Sequence, residues 1–281
     1  MRPALLVFVL AWPVALAQQP PRLASGRLES TAASGSNLGA QIRGFAGPAW
    51  VGYTVDAVPG QRGCCTTVSN GICSMGCALE GGMMTGAACS TESPGESGTA
   101  FLEGERTANI LFRVDKGEIE RVRVFSPSCQ IDIAGLTLHW LTGARTSESV
   151  AFLRTLTTQR NMISAISVHA DPGANEFLRT TAESTAASRT DRDRAAHALA
   201  ATRGSAGLAI VRRLFDTDTD ERFRESLAGA IAMAPNNAGT SALIDIATKD
   251  KNRKVRERAF FWLGRSKDPR AQKFVEEILA R

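Results

Sequence analysis

Three stretches of this chain align without a gap: TDRDRAAHALAATRGSAGLAIVRRLF (residues 190–215), RFRESLAGAIAMAPNNAGTSALIDIA (222–247) and KVRERAFFWLGRSKDPRAQKFVEEIL (254–279). Each begins 32 positions after the one before it. In that register Leu199, Ile231 and Leu263 coincide, and so do Ile210, Ala242 and Phe274. Val211, Leu243 and Val275 follow the same rule, as do Leu214, Ile246 and Ile278. Apolar positions hold while polar ones drift. A fixed period of this length marks a stacked array of helical pairs. Such an array is quasi-one-dimensional and offers an elongated surface rather than a pocket.

The periodicity predicts first helices over 159–169, 190–202, 219–233 and 252–265, with partners over 172–184, 205–215, 237–248 and 269–280. Asp171-Pro172 and Asp268-Pro269 each place an acid at the cap and a proline at the first helical position, where the missing N–H would have had no partner. Thr190 followed by Asp193 echoes a capping box, and Gly204 and Gly264 sit where helices should stop. Phe223, Leu227, Val255 and Ala259 join the aligned positions in the expected core, with Trp262 beside Leu263 on the face that the repeats bury. Ala195, Ala196 and Ala228 allow close helix approach. The first pair is degenerate: Ile163 and Leu178 keep register, but Ser167 stands where an aliphatic residue is expected. A preceding helix is predicted from Glu148, capped by Ser147, with Val150, Phe152, Leu153 and Leu156 on its apolar face.

The front half reads differently. Met1-Arg2, an apolar run from Ala4 to Leu16 and the A-x-A site Ala15-Leu16-Ala17 describe a secretory signal over residues 1–17. That run is short of the roughly 20 apolar residues of a bilayer span, and no later stretch is apolar enough for a membrane span. Residues 18–45 carry few large apolar side chains and are expected to form a flexible linker. Residues 46–142 then read as a small β-rich domain. Ala49–Val55 mixes aromatic and β-branched residues, Ala108–Val114 and Ile119–Phe125 flank a turn at Asp115-Lys116-Gly117, and Ile131–Leu141 adds a further strand. The domain boundary falls at Thr142-Gly143, and the helical array occupies 147–281. All six cysteines (Cys64, Cys65, Cys73, Cys77, Cys89 and Cys129) precede that boundary. An even, clustered set in an exported chain predicts disulfides of open connectivity.

The V-x-x-x-A-x-x-x-L-G texture of Val255, Ala259, Leu263 and Gly264, with Asp268-Pro269, resembles HEAT-repeat proteins over residues 147–281. The front domain is similar to one found ahead of HEAT repeats in exported bacterial proteins of the acidobacterial kind. Trp50-Val51-Gly52-Tyr53, Val58-Pro59-Gly60, Cys64-Cys65, Arg121-Val122-Arg123, Cys129 and Trp140-Leu141 carry that likeness. The resemblance implies an α-solenoid of about four repeats that binds other macromolecules, and it brings no catalytic motif. The expected class is therefore α+β: a small disulfide-stabilised β-rich domain followed by a short all-α HEAT-like solenoid.

Composition excludes little. A net charge of +5, with 33 Lys and Arg against 28 Asp and Glu, sets no strong preference for nucleic acid. The run Lys249, Lys251, Arg253, Lys254, Arg256 and Arg258 reads as a solvated turn, with acidic partners or anionic envelope polymers as the other reading. Of three histidines, His139 is expected beside Trp140 on a strand, His169 at a helix end and His197 on an exposed helix face. No G-x-S-x-G elbow, H-E-x-x-H helix or P-loop occurs. Cys73-Ser74-Met75-Gly76-Cys77 with Met83-Met84 supplies soft ligands suited to Cu(I), the rival reading to disulfide bonding. The function expected is an exported, non-enzymatic scaffold that binds a protein partner, uses no cofactor and engages neither nucleic acid nor a membrane span. The alternative is an enzyme accessory or copper-binding protein with its site in the Cys/Met-rich front module.

Overall fold

The computed structural model describes residues 20–59, 66–69, 72–75, 77–80, 106–127, 129–156 and 162–280. The expected signal over 1–17 lies outside them. Strand β1 spans Arg22–Ala32, helix α1 Leu38–Arg43, β2 Ala49–Asp56, β3 Thr66–Ser69, β4 Ile72–Met75, β5 Cys77–Ala78, β6 Thr107–Asp115, β7 Glu118–Phe125 and β8 Gln130–Thr142. Helices follow: α2 Thr146–Leu153, α3 Met162–Ser167, α4 Pro172–Glu183, α5 Arg189–Thr202, α6 Gly204–Thr217, α7 Glu221–Ala232, α8 Thr240–Lys249, α9 Arg253–Arg265 and α10 Pro269–Leu279. The fold is α+β. No helix among the described residues is long and apolar enough to cross a membrane.

Strands β6 and β7 form the expected hairpin, and its turn residues Lys116 and Gly117 both take positive φ (49° and 77°). That geometry matches the right-handed twist of the two strands, which is why glycine stands there. Strand β2 pairs antiparallel with β6 and parallel with β8, and β1 closes the other edge, so the sheet runs β1-β8-β2-β6-β7. Short β5 also lies along β8, while β3 and β4 make a separate hairpin.

Residues 20–45 of the linker expected over 18–45 are instead part of the fold. Strand β1 runs parallel to β8 from Arg22 opposite Gln130 to Ala32 opposite Thr142. Few of its side chains are buried, yet its backbone N–H and C=O groups find partners on β8, which hydrophobic content alone does not register. Leu38 and Ile42 of α1 are fully buried and anchor the connection back to β2.

Both faces of the sheet are covered, so β2 reads as a nearly continuous buried run. One face holds a small core of Trp50, Leu111, Phe125, Ile131, Leu138 and Trp140 with Leu79. Glu80 closes it by accepting from Trp50 Nε1 (2.7 Å) and from Arg113 Nε (2.5 Å), with Arg121 at 3.2 Å. Burial pushes the Glu80 carboxyl up, but these bonds and the two guanidinium charges outweigh it and hold it below the usual range. Cys129, buried in the same core, is disulfide-bonded. The side chains of the other five cysteines lie outside the described residues, so neither the connectivity nor the copper-type set can be placed.

The opposite face, with Val51, Tyr53, Val55, Ile110, Phe112 and Val114, packs on α1, α2 and α3 and is continuous with the core of the helical pairs. The boundary at Thr142-Gly143 is a turn, with Gly143 at φ 78°, but it separates no cores. The backbone also crosses it: Val58 N donates to Val168 O (2.9 Å) and Ala170 N to Asp56 O (3.0 Å). Inside this junction Tyr53 Oη, Ser149 Oγ and His169 form a buried chain, with links of 2.8 and 2.7 Å. His169 Nδ1 donates to Ala165 O at 2.8 Å, so Nε2 accepts from Ser149 and Ser149 accepts from Tyr53. Tyr53, Ser149 and His169 thus each have a hydrogen-bond partner.

Helix boundaries in the array fall within a few residues of those expected, and the caps supply the corrections. Helix α2 starts at Thr146, not after Ser147, because the Glu148 carboxylate reaches back to the Arg145 backbone N–H (3.4 Å). Ser188, not Thr190, caps α5, with Asp191 N donating to its hydroxyl at 3.2 Å. Gly204, left-handed at φ 55°, follows the Arg203 that ends α5, as expected, and also begins α6, whereas Gly264 remains helical within α9. Leu199, Val211, Leu214, Phe223, Leu227, Ile231, Leu243, Ile246, Val255, Ala259 and Leu263 are buried. Ile210, Phe274 and Val275 are half-buried against the same core, whereas Ile278 is 40 % exposed, since among the described residues no further helix covers that side of α10.

Burial lowers the His169 pKa to about 4, from an ordinary value near 6.5. Above pH 6.5 the ring is neutral folded and unfolded, so its contribution to stability is whole. As pH falls from about 6.5 to 4 the unfolded chain takes up the proton first, and about 3 kcal/mol of stability is lost. Urea midpoints of His169→Gln should fall less steeply between pH 7 and pH 4.5 than those of the wild type. Identical slopes would show that His169 titrates normally in the folded protein.

A candidate binding groove across three helices

The first helices α3, α5, α7 and α9 pack side by side in one layer, each also touching its own partner helix. The N-termini of the last three are built alike. Ser188, Asp220 and Asn252 cap α5, α7 and α9, with side-chain oxygens accepting the first free N–H groups. These caps recur at the 32-residue spacing, although three different residue types fill them.

A second polar series has the same spacing. Arg192 donates to Asp218 (2.5 Å) and to Ala182 O (3.1 Å), with its guanidinium 3.9 Å over the Phe223 ring. One repeat on, Arg224 donates to Asp250 (2.5 Å) and to Phe215 O (3.1 Å), and stacks 4.6 Å over the Phe215 ring. Each arginine therefore joins the end of one helical pair to the start of the next. Polar positions do not simply drift. Comparison of Arg192, Arg224 and Arg256, and of Asp218 with Asp250, would have disclosed this ladder in the sequence.

The three helices also share a cavity of about 500 Å³ lined by residues of each of them. Arg189 and His197 come from α5, Arg222, Glu225, Ser226 and Gly229 from α7, and Lys254, Arg258 and Trp262 from α9. Past Trp262 it adjoins a second cavity of about 430 Å³ with Asn237, Thr240, Arg265 and Lys267 in its walls. The expected assignments of two residues are amended here. His197 is half-buried in the groove rather than exposed, and Trp262 packs half-buried against the core as expected but also lines the groove.

Gly229 forms the floor. A Cβ there would stand 3.2 Å from Trp262 Nε1 and 3.5 Å from His197 Nε2. His197 Nδ1 donates to Asp193 O (2.8 Å), so in the neutral ring Nε2 offers a lone pair. Trp262 Nε1 is shielded from water and has no acceptor among the described residues. Such an orphaned donor costs about 1–3 kcal/mol.

The charge is uneven. Arg189 pairs with Asp193 (3.6 Å) and Asp220 (3.5 Å). Arg222, Lys254 and Arg258 are exposed and have no ion-pair partner among the described residues. The basic run of the last repeat is thereby divided. Lys249 pairs with Asp245 (2.9 Å), Arg253 with Glu257 (2.7 Å), and Arg256 donates to Asp250 O and Lys251 O, whereas Lys254 and Arg258 enter the groove. The turn itself opens on a wide hollow whose walls interleave Asp216, Asp218, Glu221 and Asp250 with the cations.

The remaining histidines do other work. His139 stacks on Phe45 at 4.1 Å and lies 3.3 Å from Glu29; burial lowers its pKa and Glu29 opposes the shift. Ser149 and His169 have the contact of a nucleophile and base, but both are wholly buried, and a substrate could not reach them. No group of three His, Cys, Asp or Glu that could hold a metal ion occurs among the described residues. No protein-family model, curated protein or solved structure matches the chain.

Arg224→Ala would leave Asp250, whose side chain is 5 % exposed, without its counter-charge. The expected cost is about 3 kcal/mol in urea unfolding. Arg253→Ala removes an ion pair in open solvent and should cost under about 0.5 kcal/mol. Equal costs at the two sites would deny the ladder its role.

Proposed function

We propose that this protein is a non-enzymatic scaffold that binds a protein partner through its helical pairs, which make a short HEAT-like α-solenoid of about four repeats. The observation that carries this reading is the groove over α5, α7 and α9. Residues at equivalent positions of successive pairs line it, so one elongated surface spans several repeats, as quasi-one-dimensional arrays present to macromolecules. Its walls combine an aromatic residue, arginines and a histidine, residue types suited to recognition. The sealed Ser149–His169 pair favours binding over catalysis. The sheet supports the array from one end, covering the apolar side of α2 and α3. Work in the periplasm or outside the cell is proposed from Arg2, the Ala4–Leu16 apolar run and the Ala15-Leu16-Ala17 site.

A photo-crosslinking amino acid at Ser226, in the groove, should give discrete protein adducts in envelope extract. The same probe at Ala209, on the exposed side of α6, should give few. Adducts of equal yield and pattern at both positions, or none at Ser226, would remove the scaffold reading.

A further inference from the structure

We infer that the groove takes an extended, acidic polypeptide segment, one peptide unit of which sits over Gly229. This inference rests on the scaffold reading and names the chemistry of its partner. Two independent observations converge on it. The first is charge: Arg222, Lys254 and Arg258, from neighbouring helices, line one cavity and have no ion-pair partner among the described residues. Carboxylate side chains spaced along an extended strand meet such cations in turn, and guanidinium–carboxylate pairs add directional hydrogen bonds.

The second is the donor and acceptor pair at the floor. Trp262 Nε1–H needs an acceptor, and His197, whose Nδ1 is held by Asp193 O, brings Nε2 to the same place. Both lie within 3.5 Å of the point that a Gly229 side chain would fill. A peptide unit carries one C=O and one N–H and can answer both. A phosphate or sulfate diester offers acceptors alone. Glu225 in the same wall also opposes a densely charged polyanion. Since Trp262 Nε1 is shielded in the free protein, occupancy requires the indole to turn toward the groove. Binding therefore alters the surroundings of Trp262, whereas Trp50 and Trp140 stay sealed in the sheet core.

The test titrates the full chain with an acetylated, amidated hexaglutamate peptide, followed by tryptophan fluorescence and by calorimetry. Polyphosphate of equal charge is the comparison. The peptide should bind and shift the tryptophan emission, and the shift should vanish in Trp262→Phe. Arg222→Gln with Arg258→Gln should weaken the peptide about tenfold or more. Gly229→Ala keeps every charge, favours the helix by removing a flexible residue, and fills the floor, so it should also weaken the peptide about tenfold. Polyphosphate should show no sensitivity to Gly229→Ala.

Polyphosphate binding as tight as the peptide's, or peptide binding indifferent to Gly229→Ala, overturns the inference in favour of a diffuse basic surface. No peptide binding alongside discrete crosslinks at Ser226 overturns this inference and leaves the scaffold standing. Peptide binding without protein crosslinks sustains the site and removes the scaffold.

Discussion

Each helical pair has an apolar side that a neighbouring element must cover, and this constraint organises the residues after 146. Leu199, Ile231 and Leu263 lie in one continuous core because α5, α7 and α9 are held side by side. Hydrophobic burial has no direction of its own, so it does not say how far one pair may slide over another. Arg192 and Arg224 supply that direction. Arg192 is fixed by Asp218, the Ala182 carbonyl and the Phe223 ring, and Arg224 by Asp250 and by both the carbonyl and the ring of Phe215.

The sheet and the helices form one folding unit rather than two modules on a tether. Tyr53, Ser149 and His169 run from a central strand through α2 to the end of α3. Backbone bonds from Asp56 and Val58 flank that chain. An array needs its terminal apolar side closed, and the sheet closes it here. At the far end α10 has no such cover among the described residues, and Ile278 and Leu279 are exposed.

The helical pairs were legible in the sequence because apolar burial at 32-residue spacing constrains side-chain type strongly. The β6–β7 hairpin was legible from Asp115-Lys116-Gly117 for a similar reason: few residues accept that turn. Strand β1 was not, because its pairing with β8 is made by backbone groups common to every residue, while its side chains are mostly exposed. The polar ladder was within reach, since Arg192, Arg224 and Arg256 repeat as faithfully as the leucines. The groove floor was beyond reach. Gly229 matters for what it lacks, and nothing in its neighbourhood in the sequence says that Trp262 and His197 will meet above it.

The parallel pairing of β1 with β8 has a kinetic consequence. Ser25 meets Asp132 across 107 positions of chain, and the strands between them close the rest of the sheet. Contacts so distant along the chain form slowly, whereas a helical pair assembles from near neighbours. Strand β1 therefore stays unpaired until β8 is in place. During that interval its sparse apolar content is an advantage, because a bare edge of small and polar residues gives other chains little to adhere to.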